Sequence, residues 1–505
     1  MMRRFHAVAG ALGAAASLAA SELAAGMFGA FPSLVEEVGD VVVDNVPAGV
    51  KDWAIATFGS YDKPVLIAGI VVVSLLIGAL VGAASASAGW VVPAAFWGFG
   101  ALGAAAAVVE GAPPAAAILA GALAAGAGWA VCVTLARPVG LAPTEDAFDE
   151  GRRAFLARAG AVVVLAGLAA GGGRLLVDRA RRVVAGRESV VLPAAASPAP
   201  PVPAGASLAV EGLSPLITPN ADFYRIDTAL SVPRVDLEAW RLRIAGMVDR
   251  PFEVTHDDLL DMDLVERYVT LACVSNEVGG GLVGTAAWLG VPLAALLDRA
   301  GVQPGATQVV GRSVDGFTVG FPTDVVYDGR EAMVAVGMNG EPLPLEHGFP
   351  ARLVVAGLYG YVSATKWLTE LELTTWESFD AYWVPRGWSK EGPIKTQSRI
   401  DTPRAGQTVG PGERVVAGVA WAPNVGIERV EVQVDDEPWV EAELSEPLGD
   451  DAWRQWRVGW VATPGRHVIK VRATDRNGVT QTDASAPPAP DGATGWHTIR
   501  VLVEA

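Results

Sequence analysis

The chain has 505 residues, of which 51% are hydrophobic, and a net charge of −17. With 55 acidic against 38 basic residues and no basic stripe, the composition argues against nucleic-acid binding. The two cysteines, Cys132 and Cys273, exclude a disulfide framework and a four-cysteine metal site. A chain of this length has room for about two to four domains.

Residues 1–180 carry most of the apolar excess and predict about five membrane-spanning helices. The stretches long enough to cross a hydrocarbon core are 7–30, 64–87, 90–111, 113–136 and 158–177. Val65 to Leu80 is free of charge, whereas Glu22 interrupts the first stretch. The alternative is that these stretches are buried helices of a soluble domain. Cys132 falls inside the fourth stretch, so we do not expect it to pair with Cys273.

Charged residues around these stretches predict the topology. Arg3 and Arg4 favour a cytoplasmic N-terminus, and five crossings then place the chain after residue 180 outside the cytoplasm. Arg152 and Arg153, just before the last stretch, read as a twin-arginine export signal or as a positive-inside anchor. Both interpretations predict a multi-pass protein of the plasma membrane with its catalytic part outside the cytoplasm.

The chain after the membrane region divides into a linker and two further domains. Residues 181–207 are a Pro/Ala-rich linker, within which we expect 192–206 to be a stiff, extended spacer. In residues 208–397, short strand-like and helix-like runs interleave without a regular βαβ period, which predicts an α+β fold. Residues 240–246 alternate like a strand, and Thr255 and Pro292 each precede a short helical run.

Residues 398–505 have a different character from the domain before them. Three segments, 429–434, 467–471 and 497–503, show the period-two alternation of strands. Turn signals such as Asn477-Gly478 separate them. Their spacing and the length of the segment predict an immunoglobulin-like β-sandwich of about 100 residues.

Several short patterns follow one another in a fixed order in the middle of the chain. They are Trp240-x-Leu-x-Ile-x-Gly246, Pro251 with Thr255-x-x-Asp258-Leu259, Leu271-Ala-Cys273, Trp288-x-Gly290-x-Pro292-Leu293, His347-Gly-Phe-Pro-Ala-Arg352 and Lys366-Trp-Leu368. No single pattern is decisive, but the ordered set resembles the sulfite oxidase family of molybdopterin-dependent oxidoreductases, in a membrane-anchored bacterial branch. The resemblance covers roughly 208–505, and it implies a sulfite-oxidase-type molybdopterin domain followed by a dimerisation-type sandwich.

The resemblance implies a role for particular residues. Cys273, which taken alone would more often be an inert core thiol, corresponds to the thiolate ligand of molybdenum. Arg352 and Lys366 correspond to cationic contacts of the molybdopterin phosphate, and His347 to a pterin contact. The remaining cofactor-binding candidates come from the family's N-terminal pterin-contacting segment and are Asn220, Tyr224 and Arg225.

The sequence also departs from the family pattern. A Gly-Asn-Arg-Arg stretch usually follows the ligand cysteine, but here Val274-Ser-Asn-Glu277 follows it. In a poorly hydrated pocket the Glu277 carboxylate is expected to repel sulfite or to act in proton transfer. Trp388 stands where a catalytic tyrosine is expected. Arg386 and Arg454 are candidates for anion binding, although Arg454 could instead stack between two tryptophans.

These observations predict an enzyme that performs two-electron oxygen-atom transfer on a small sulfur compound. The first alternative is the reverse reaction, the reduction of sulfoxides or other S- or N-oxides with the same cofactor. The second is a non-enzymatic, membrane-tethered binding protein. Because no c-type haem or flavin motif is visible, electrons require a separate partner, either a membrane quinone or a haem protein. The resemblance also implies that a homodimer can form.

Overall fold

A computed structural model describes residues 2–28, 31–47, 50, 53–54, 57–58, 61–140, 145–233 and 235–504. The chain separates into two compact units. The helical unit is Met1–Val184 together with Asp227–Val232. The strand-rich unit is Ala185–Ile226 together with Pro233–Ala505.

The helical unit is built mainly of long apolar helices. The described helices are α1 (Met2–Met27), α2 (Leu34–Asn45), α3 (Asp62–Ser85), α4 (Val91–Val109), α5 (Pro114–Gly140) and α6 (Glu145–Ala185). Five segments are long and apolar enough to cross a membrane: Arg3–Met27, Asp62–Ser85, Val91–Val109, Pro114–Ala136 and Arg153–Val177. Each predicted stretch coincides with one of them, although Gly29 and Ala30 of the first lie outside the described residues.

The outer faces of these helices are apolar. Leu80 on α3 is 71% exposed, Val109 at the end of α4 is 76% exposed, and Leu168 on α6 is 68% exposed. A soluble domain would bury such side chains, whereas lipid solvates them. The exposure pattern therefore favours membrane helices over the alternative of buried soluble helices.

Glycines allow the helices of this unit to approach closely. A Cβ atom added at Gly82 on α3 would lie 2.0 Å from the carbonyl oxygen of His6 on α1. The same holds for Gly100 on α4 and Gly121 on α5, where each added Cβ would come within 2.4 Å of the other residue's carbonyl oxygen. Small residues at these crossings let the backbones touch, which is the usual way that helices associate in lipid.

Two features of this unit differ from the sequence analysis. The short helix α2 was not predicted; Ser33 caps it by accepting a hydrogen bond from the amide of Glu36. The last predicted span, 158–177, is only the central part of α6, a single helix of 41 residues. Arg153 lies inside that helix, and the side chain of Arg152 is outside the described part. The export signal therefore stays a prediction.

Residues 227–232 fall within the predicted catalytic range but cluster with the helical unit. Asp227 forms an ion pair with Lys63. The amide of Leu230 donates to the Asp40 carboxylate at 3.1 Å, and the hydroxyl of Ser231 donates to Glu36 at 3.2 Å. The segment is thus held by side chains of α2 and α3.

The first part of the strand-rich unit contains ten strands and three short helices among the described residues. They are β1 (Leu242–Gly246), β2 (Phe252–Val254), α7 (His256–Leu260), β3 (Val265–Ala272), β4 (Val283–Pro292), α8 (Leu293–Ala300), β5 (Gln308–Ser313), β6 (Thr318–Pro322), β7 (Ala332–Met338), β8 (Glu341–Pro342), β9 (Arg352–Val355), α9 (Gly360–Ser363) and β10 (Leu368–Thr374). One sheet has the order β2-β1-β10-β5-β6, and the other has the order β3-β4-β7-β8 with β9 paired to β7. The predicted helices after Thr255 and Pro292 are confirmed, and Thr255 forms a capping box with Asp258.

The second part of this unit is formed by nine strands. They are β11 (Gln397–Thr402), β12 (Thr408–Val409), β13 (Gly412–Trp421), β14 (Ile427–Val434), β15 (Val440–Glu441), β16 (Glu443–Leu444), β17 (Arg454–Ala462), β18 (Gly465–Asp475) and β19 (His497–Val503). They form two sheets, β11-β13-β17-β16 and β12-β19-β18-β14-β15. Both sheets contribute to one buried core, with Val416 and Trp456 from the first and Val471 and Ile499 from the second. The three predicted strands are confirmed, and the immunoglobulin-like assignment stays a prediction.

The linker is helical at its start, because residues 181–185 end α6 and Arg187–Ser189 form a 3₁₀ turn, whereas 192–206 contain no helix, as their composition predicts. The stretch 192–206 is not a free spacer. Ser197 forms a parallel bridge with Val265 at the start of β3. Its carbonyl oxygen accepts hydrogen bonds from the amide of Glu266 and from the guanidinium of Arg267, at 2.9 and 3.0 Å. Ala206 lies in a small buried cluster with Leu216 and Leu448.

Gly418 lies on β13 where this strand pairs closely with β11 in the sheet β11-β13-β17-β16. A Cβ atom added there would lie 1.8 Å from the carbonyl oxygen of Arg399 on β11. Because backbone cannot yield as a side chain can, we expect Gly418→Ala to cost about 1–3 kcal/mol and to lower the melting temperature by at least about 3 °C.

The matched control is Gly459→Ala on the neighbouring strand β17, where an added Cβ would meet no atom within 4 Å. Its melting temperature should equal that of the unsubstituted chain. Thermal unfolding of both variants, followed by intrinsic fluorescence, makes the comparison. Equal shifts for the two variants would contradict the prediction.

Candidate active site

Cys273 follows β3 directly, where the chain turns back toward β4. Its amide donates to the carbonyl oxygen of Leu282 at 2.9 Å, and its own carbonyl accepts from the amide of Asn276 at 3.1 Å. The Asn276 side chain closes the turn by accepting from the amide of Leu282 at 2.8 Å. We call residues 273–281 the cysteine turn. It presents the Cys273 side chain, which is only 8% exposed, at the end of the β3–β4 hairpin.

The Cys273 thiol is placed to accept hydrogen bonds rather than to pair with another cysteine. Both cysteines of the chain are free, as predicted. Burial raises the pKa of the Cys273 thiol, and hydrogen bonds from the amide and hydroxyl of Ser275 partly oppose that rise. Burial thus disfavours the bare thiolate, whereas a bound cation would stabilise it.

Gly348 brings the predicted cationic residues together. It has a φ of +109°, and an added Cβ would lie 3.0 Å from Lys366 and 3.1 Å from the Cβ of Arg352. His347 precedes this glycine at the end of a short 3₁₀ turn. Only glycine fits this backbone conformation at such close range. The pattern His-Gly-Phe-Pro-Ala-Arg thus encodes a tight turn that gathers His347, Arg352 and Lys366.

Arg352 is a buried cation at the start of β9, with 5% of its surface exposed. It donates to the carbonyl oxygens of His347 at 3.1 Å and Leu353 at 3.4 Å, and its guanidinium carbon lies 5.0 Å from the centre of the Trp288 ring. Among the described residues, no carboxylate forms an ion pair with it. Burial lowers the pKa of Arg352 to about 10. An uncompensated buried cation of this kind suits an anionic ligand.

His347 and Lys366 complete the cationic group. The Nε2 of His347 donates to the carbonyl oxygen of Asn220 at 3.0 Å, which leaves Nδ1 as the unprotonated nitrogen of the neutral ring. Burial, with smaller contributions from the charges of Arg352 and Lys366, lowers the pKa of His347 to about 4. Lys366 donates to the carbonyl oxygen of Glu346 at 3.2 Å and lies 4.6 Å from the centre of the Trp367 ring.

The three candidates from the N-terminal pterin-contacting segment occupy different environments. Asn220 is half-buried and bonds to the carbonyl of Met338 and to the side chain of Asn339. Tyr224 is half-buried, and its pKa is raised by desolvation of the phenol and by the nearby Cys273, while Arg352 opposes the rise. Tyr224 therefore lies near both the thiol and the buried guanidinium. Arg225 is exposed.

The four remaining catalytic candidates are Glu277, Arg386, Trp388 and Arg454, and their surroundings differ from one another. Glu277 is exposed, so the expected poorly hydrated carboxylate is not what the structure has. Arg386 lies over the ring of Tyr382 at 3.7 Å, and Trp388 packs against Tyr361 and Trp383. Arg454 donates to the carbonyls of Ser445 and Ile427 at 2.8 and 2.9 Å, and in the described part of the chain it does not stack between tryptophans.

Two residues near the thiol were not predicted. Ser275 was noted only as part of the departure from the family pattern, although a serine two residues after a cysteine can hydrogen-bond back to it. Tyr359 is buried, and its burial, with a smaller contribution from the nearby Cys273, raises the pKa of Tyr359 to about 12. Its position after β9 carried no signal of its own, because a tyrosine between two apolar runs is usually part of a core.

The residues present fit molybdopterin. No group of three or more His, Cys, Asp or Glu side chains able to hold a metal occurs in the described part of the chain. A metal bound by Cys273 would therefore take most of its donors from a cofactor, as a dithiolene provides them. The buried guanidinium of Arg352 matches the phosphate of that cofactor.

Comparison with known proteins also indicates a molybdopterin-binding domain. Residues 229–383 match the family described as oxidoreductase molybdopterin binding domain. Human mitochondrial sulfite oxidase is 30% identical over 339 residues, which cover 57% of this chain and 62% of the human protein. An uncharacterized oxidoreductase of Bacillus subtilis is 31% identical over 157 residues, covering 31% of this chain and 76% of that protein. The crystal structure of the sulfane dehydrogenase SoxCD from Paracoccus pantotrophus has a TM-score of 0.50 at 24% identity, covering 59% of this chain and 85% of that one.

The thiol, the cationic group and these similarities define a molybdopterin-binding oxidoreductase domain. The chain belongs to the sulfite oxidase family of molybdopterin-dependent oxidoreductases, as the ordered sequence patterns predicted. It spans 62% of the length of the mammalian sulfite oxidase quoted above. The matched range contains Cys273, His347, Arg352 and Lys366.

The pKa of His347 predicts how stability depends on pH. The unfolded chain binds a proton with a pKa of about 6.5, whereas folded His347 does so only near 4. Between pH 4 and pH 6.5 this histidine is protonated only in the unfolded chain. The contribution of His347 to the free energy of unfolding is therefore full above pH 6.5 and is lost as the pH falls to 4. The loss is roughly 3 kcal/mol.

Urea midpoints measured from pH 4 to 8 test this dependence. His347→Gln retains a donor for the Asn220 carbonyl but does not titrate, so its loss of stability in acid should be smaller than that of the unsubstituted chain. His467→Gln is the control, because hydrogen bonding to Asp435 raises the pKa of His467 and so works in the opposite sense. If the urea midpoints of His347→Gln and of the unsubstituted chain depend on pH in the same way, the prediction is wrong.

Proposed function

We propose that this protein is a membrane-anchored, molybdopterin-dependent oxidoreductase of the sulfite oxidase type that transfers an oxygen atom on a small sulfur compound in a two-electron reaction. One observation carries the proposal. A buried thiol held by Ser275 at the end of β3 lies in the same sheet as Arg352, a buried cation with no carboxylate partner among the described residues. A soft anionic ligand and an anion-binding site are the two things that a phosphorylated metal–pterin cofactor requires.

Each residue has a role that follows from its surroundings. Bound molybdopterin supplies the two-electron redox chemistry. Cys273 is the protein's ligand to the metal, and the two donors of Ser275 withdraw charge from its sulfur. Arg352 and Lys366 neutralise the phosphate. Neutral His347 presents a hydrogen-bond acceptor at Nδ1, because its Nε2 proton is held by Asn220. Tyr224 lies near both the thiol and the guanidinium.

Sulfite or a related sulfur oxyanion is the first candidate substrate. Glu277 replaces a positive charge of the family pattern, but it is exposed and therefore screened by water. Its repulsion of a dianion then amounts to about 1 kcal/mol or less, and not to the larger penalty expected in a dry pocket. The substitution weakens sulfite binding without preventing it.

A sulfoxide or another S- or N-oxide is the second candidate substrate, used in the reverse direction. The arginines proposed to bind an anion are engaged elsewhere: Arg386 donates to the Tyr382 carbonyl at 2.6 Å, and Arg454 donates to two backbone carbonyls. Trp388 also stands in place of the expected tyrosine. A neutral oxide needs neither an arginine pair nor compensation for charge, so these features favour it.

The setting of the enzyme is part of the proposal. The five apolar helices anchor a multi-pass protein in the plasma membrane, with the strand-rich unit outside the cytoplasm after export by the twin-arginine route. A quinone or a haem protein exchanges electrons with the site, and the immunoglobulin-like region supports a homodimer. The non-enzymatic alternative, a tethered binding protein, is disfavoured because an adhesive module has no use for a buried thiol beside a buried cation.

Molybdenum content tests the assignment of Cys273. Cys273→Ser removes the soft thiolate and changes little volume, so we expect molybdenum to fall from about one atom per chain to a small fraction, with loss of activity and an unchanged melting temperature. Cys132→Ala is the control and should retain its metal, because Cys132 is buried in the helical unit. A Cys273→Ser protein with full metal and activity would refute the assignment, and a metal-free unsubstituted chain would support the binding-protein alternative.

Glu277→Gln tests the substrate charge. Removing an exposed carboxylate should raise kcat/KM for sulfite by no more than about fivefold, and less at high salt, with no change for neutral methionine sulfoxide. Steady-state assays with artificial electron carriers measure both reactions, and the faster one identifies the direction. Glu413→Gln, at another exposed carboxylate, is the control. A change above tenfold, or an equal change for both substrates, would show that Glu277 acts in the chemistry and not through screened repulsion.

A further inference from the structure

The region formed by strands β11 to β19, which we call the β11–β19 region (residues 397–503), contacts both ends of the cysteine turn. On the β3 side, the amide of Thr270 donates to the carbonyl oxygen of Asp451 at 2.8 Å. The amide of Trp453 donates to the Thr270 hydroxyl at 2.7 Å. Thr270 is fully buried and lies three residues before Cys273. The outer edge of β3 is therefore held by the segment that leads into β17.

On the far side of the turn, Arg399 of β11 holds Gly280. Its Nη1 donates to the carbonyl oxygen of Gly280 at 2.8 Å. The other donors are also engaged, since Nε bonds to Asp401 at 2.6 Å and Nη2 bonds to the hydroxyl of Ser214 at 2.8 Å. The guanidinium is thus fixed on three sides, and its contact with Gly280 is rigid.

His497, the first residue of β19, packs against the neighbouring glycine. Its Nδ1 accepts a hydrogen bond from the amide of Ile400 at 2.9 Å, which fixes the ring. A Cβ atom added at Gly279 would lie 2.2 Å from the Cδ2 of this ring. Gly279 also has a φ of +81°, so both its conformation and its space are suited to glycine.

We propose that Arg399 and His497 are positioning residues for the Cys273 sulfur, acting through the cysteine turn. Three consecutive glycines, 279–281, make this turn entropically costly to order, and its own hydrogen bonds are few. Contacts from a rigid sheet supply the missing order. A metal ligand must be held within a fraction of an ångström, and supporting residues usually provide that precision. The inference rests on the proposed function only for its catalytic consequence.

Hydrogen exchange of the full-length protein in detergent tests the inference without substrate or cofactor. In Arg399→Met and His497→Ala, amide exchange in peptides covering residues 273–282 should rise about tenfold or more, since the first variant loses the three part-buried hydrogen bonds of Arg399 and the second loses the one from the Ile400 amide. Alkylation of Cys273, located by peptide mapping, should also be faster. His497→Asn should restore protection, because its side-chain oxygen can accept from the Ile400 amide.

Arg457→Met is the matched control, because Arg457 on β17 forms only an exposed pair with Glu443. It should leave the turn unchanged. If Arg399→Met does not fold, Arg399→Lys takes its place, since lysine keeps the charge but cannot make all three bonds.

Exchange that is unchanged in the turn, or raised equally in β4 and β7, would overturn the inference. So would a loosened turn with unchanged molybdenum content and kcat. A metal-free unsubstituted chain would overturn the proposed function instead and would leave the exchange comparison valid.

Discussion

Burial makes the charged form of two groups in the strand-rich unit costly, although Arg352, with a pKa of about 10, remains a cation at neutral pH. The Cys273 thiol has a raised pKa, and the guanidinium of Arg352 has a lowered one. The charged form of each group is costly when it is alone in this environment. It becomes favourable when a partner of opposite charge binds. A metal ion would be that partner for the sulfur, and a phosphate for the guanidinium. One ligand that carries both would satisfy the two groups together.

The sequence alone predicts those parts of the site whose residues are close together along the chain. The His-Gly-Phe-Pro-Ala-Arg pattern predicts a tight turn, and Gly348 indeed brings Arg352 and Lys366 together. The strands at 429–434, 467–471 and 497–503 followed from alternation alone. Arg399 and His497 could not be predicted, since they lie more than 100 residues from the turn and look like ordinary strand residues. The exposure of Glu277 also depends on tertiary structure, so the sequence alone could not decide between a dry carboxylate and a solvated one.

The arginines show why residue type alone does not establish a role. Arg352 and Arg454 are each followed or flanked by apolar residues, and both were plausible anion sites in the sequence. In the structure Arg454 donates to two backbone carbonyls within the β11–β19 region. Arg352 instead faces the ring of Trp288 and two carbonyls without a carboxylate. What distinguishes the two is burial, since Arg352 is buried whereas Arg454 is only half-buried, and only the fold reveals this difference.

The extended linker has a consequence for solubility. β3 is the outermost strand of its sheet, and an open outermost strand is a template on which other chains can add and aggregate. Ser197 covers its beginning, and Asp451 covers it near Thr270. The proline-rich stretch therefore serves as a guard against intermolecular strand addition, because proline lacks the amide hydrogen that a further strand would need.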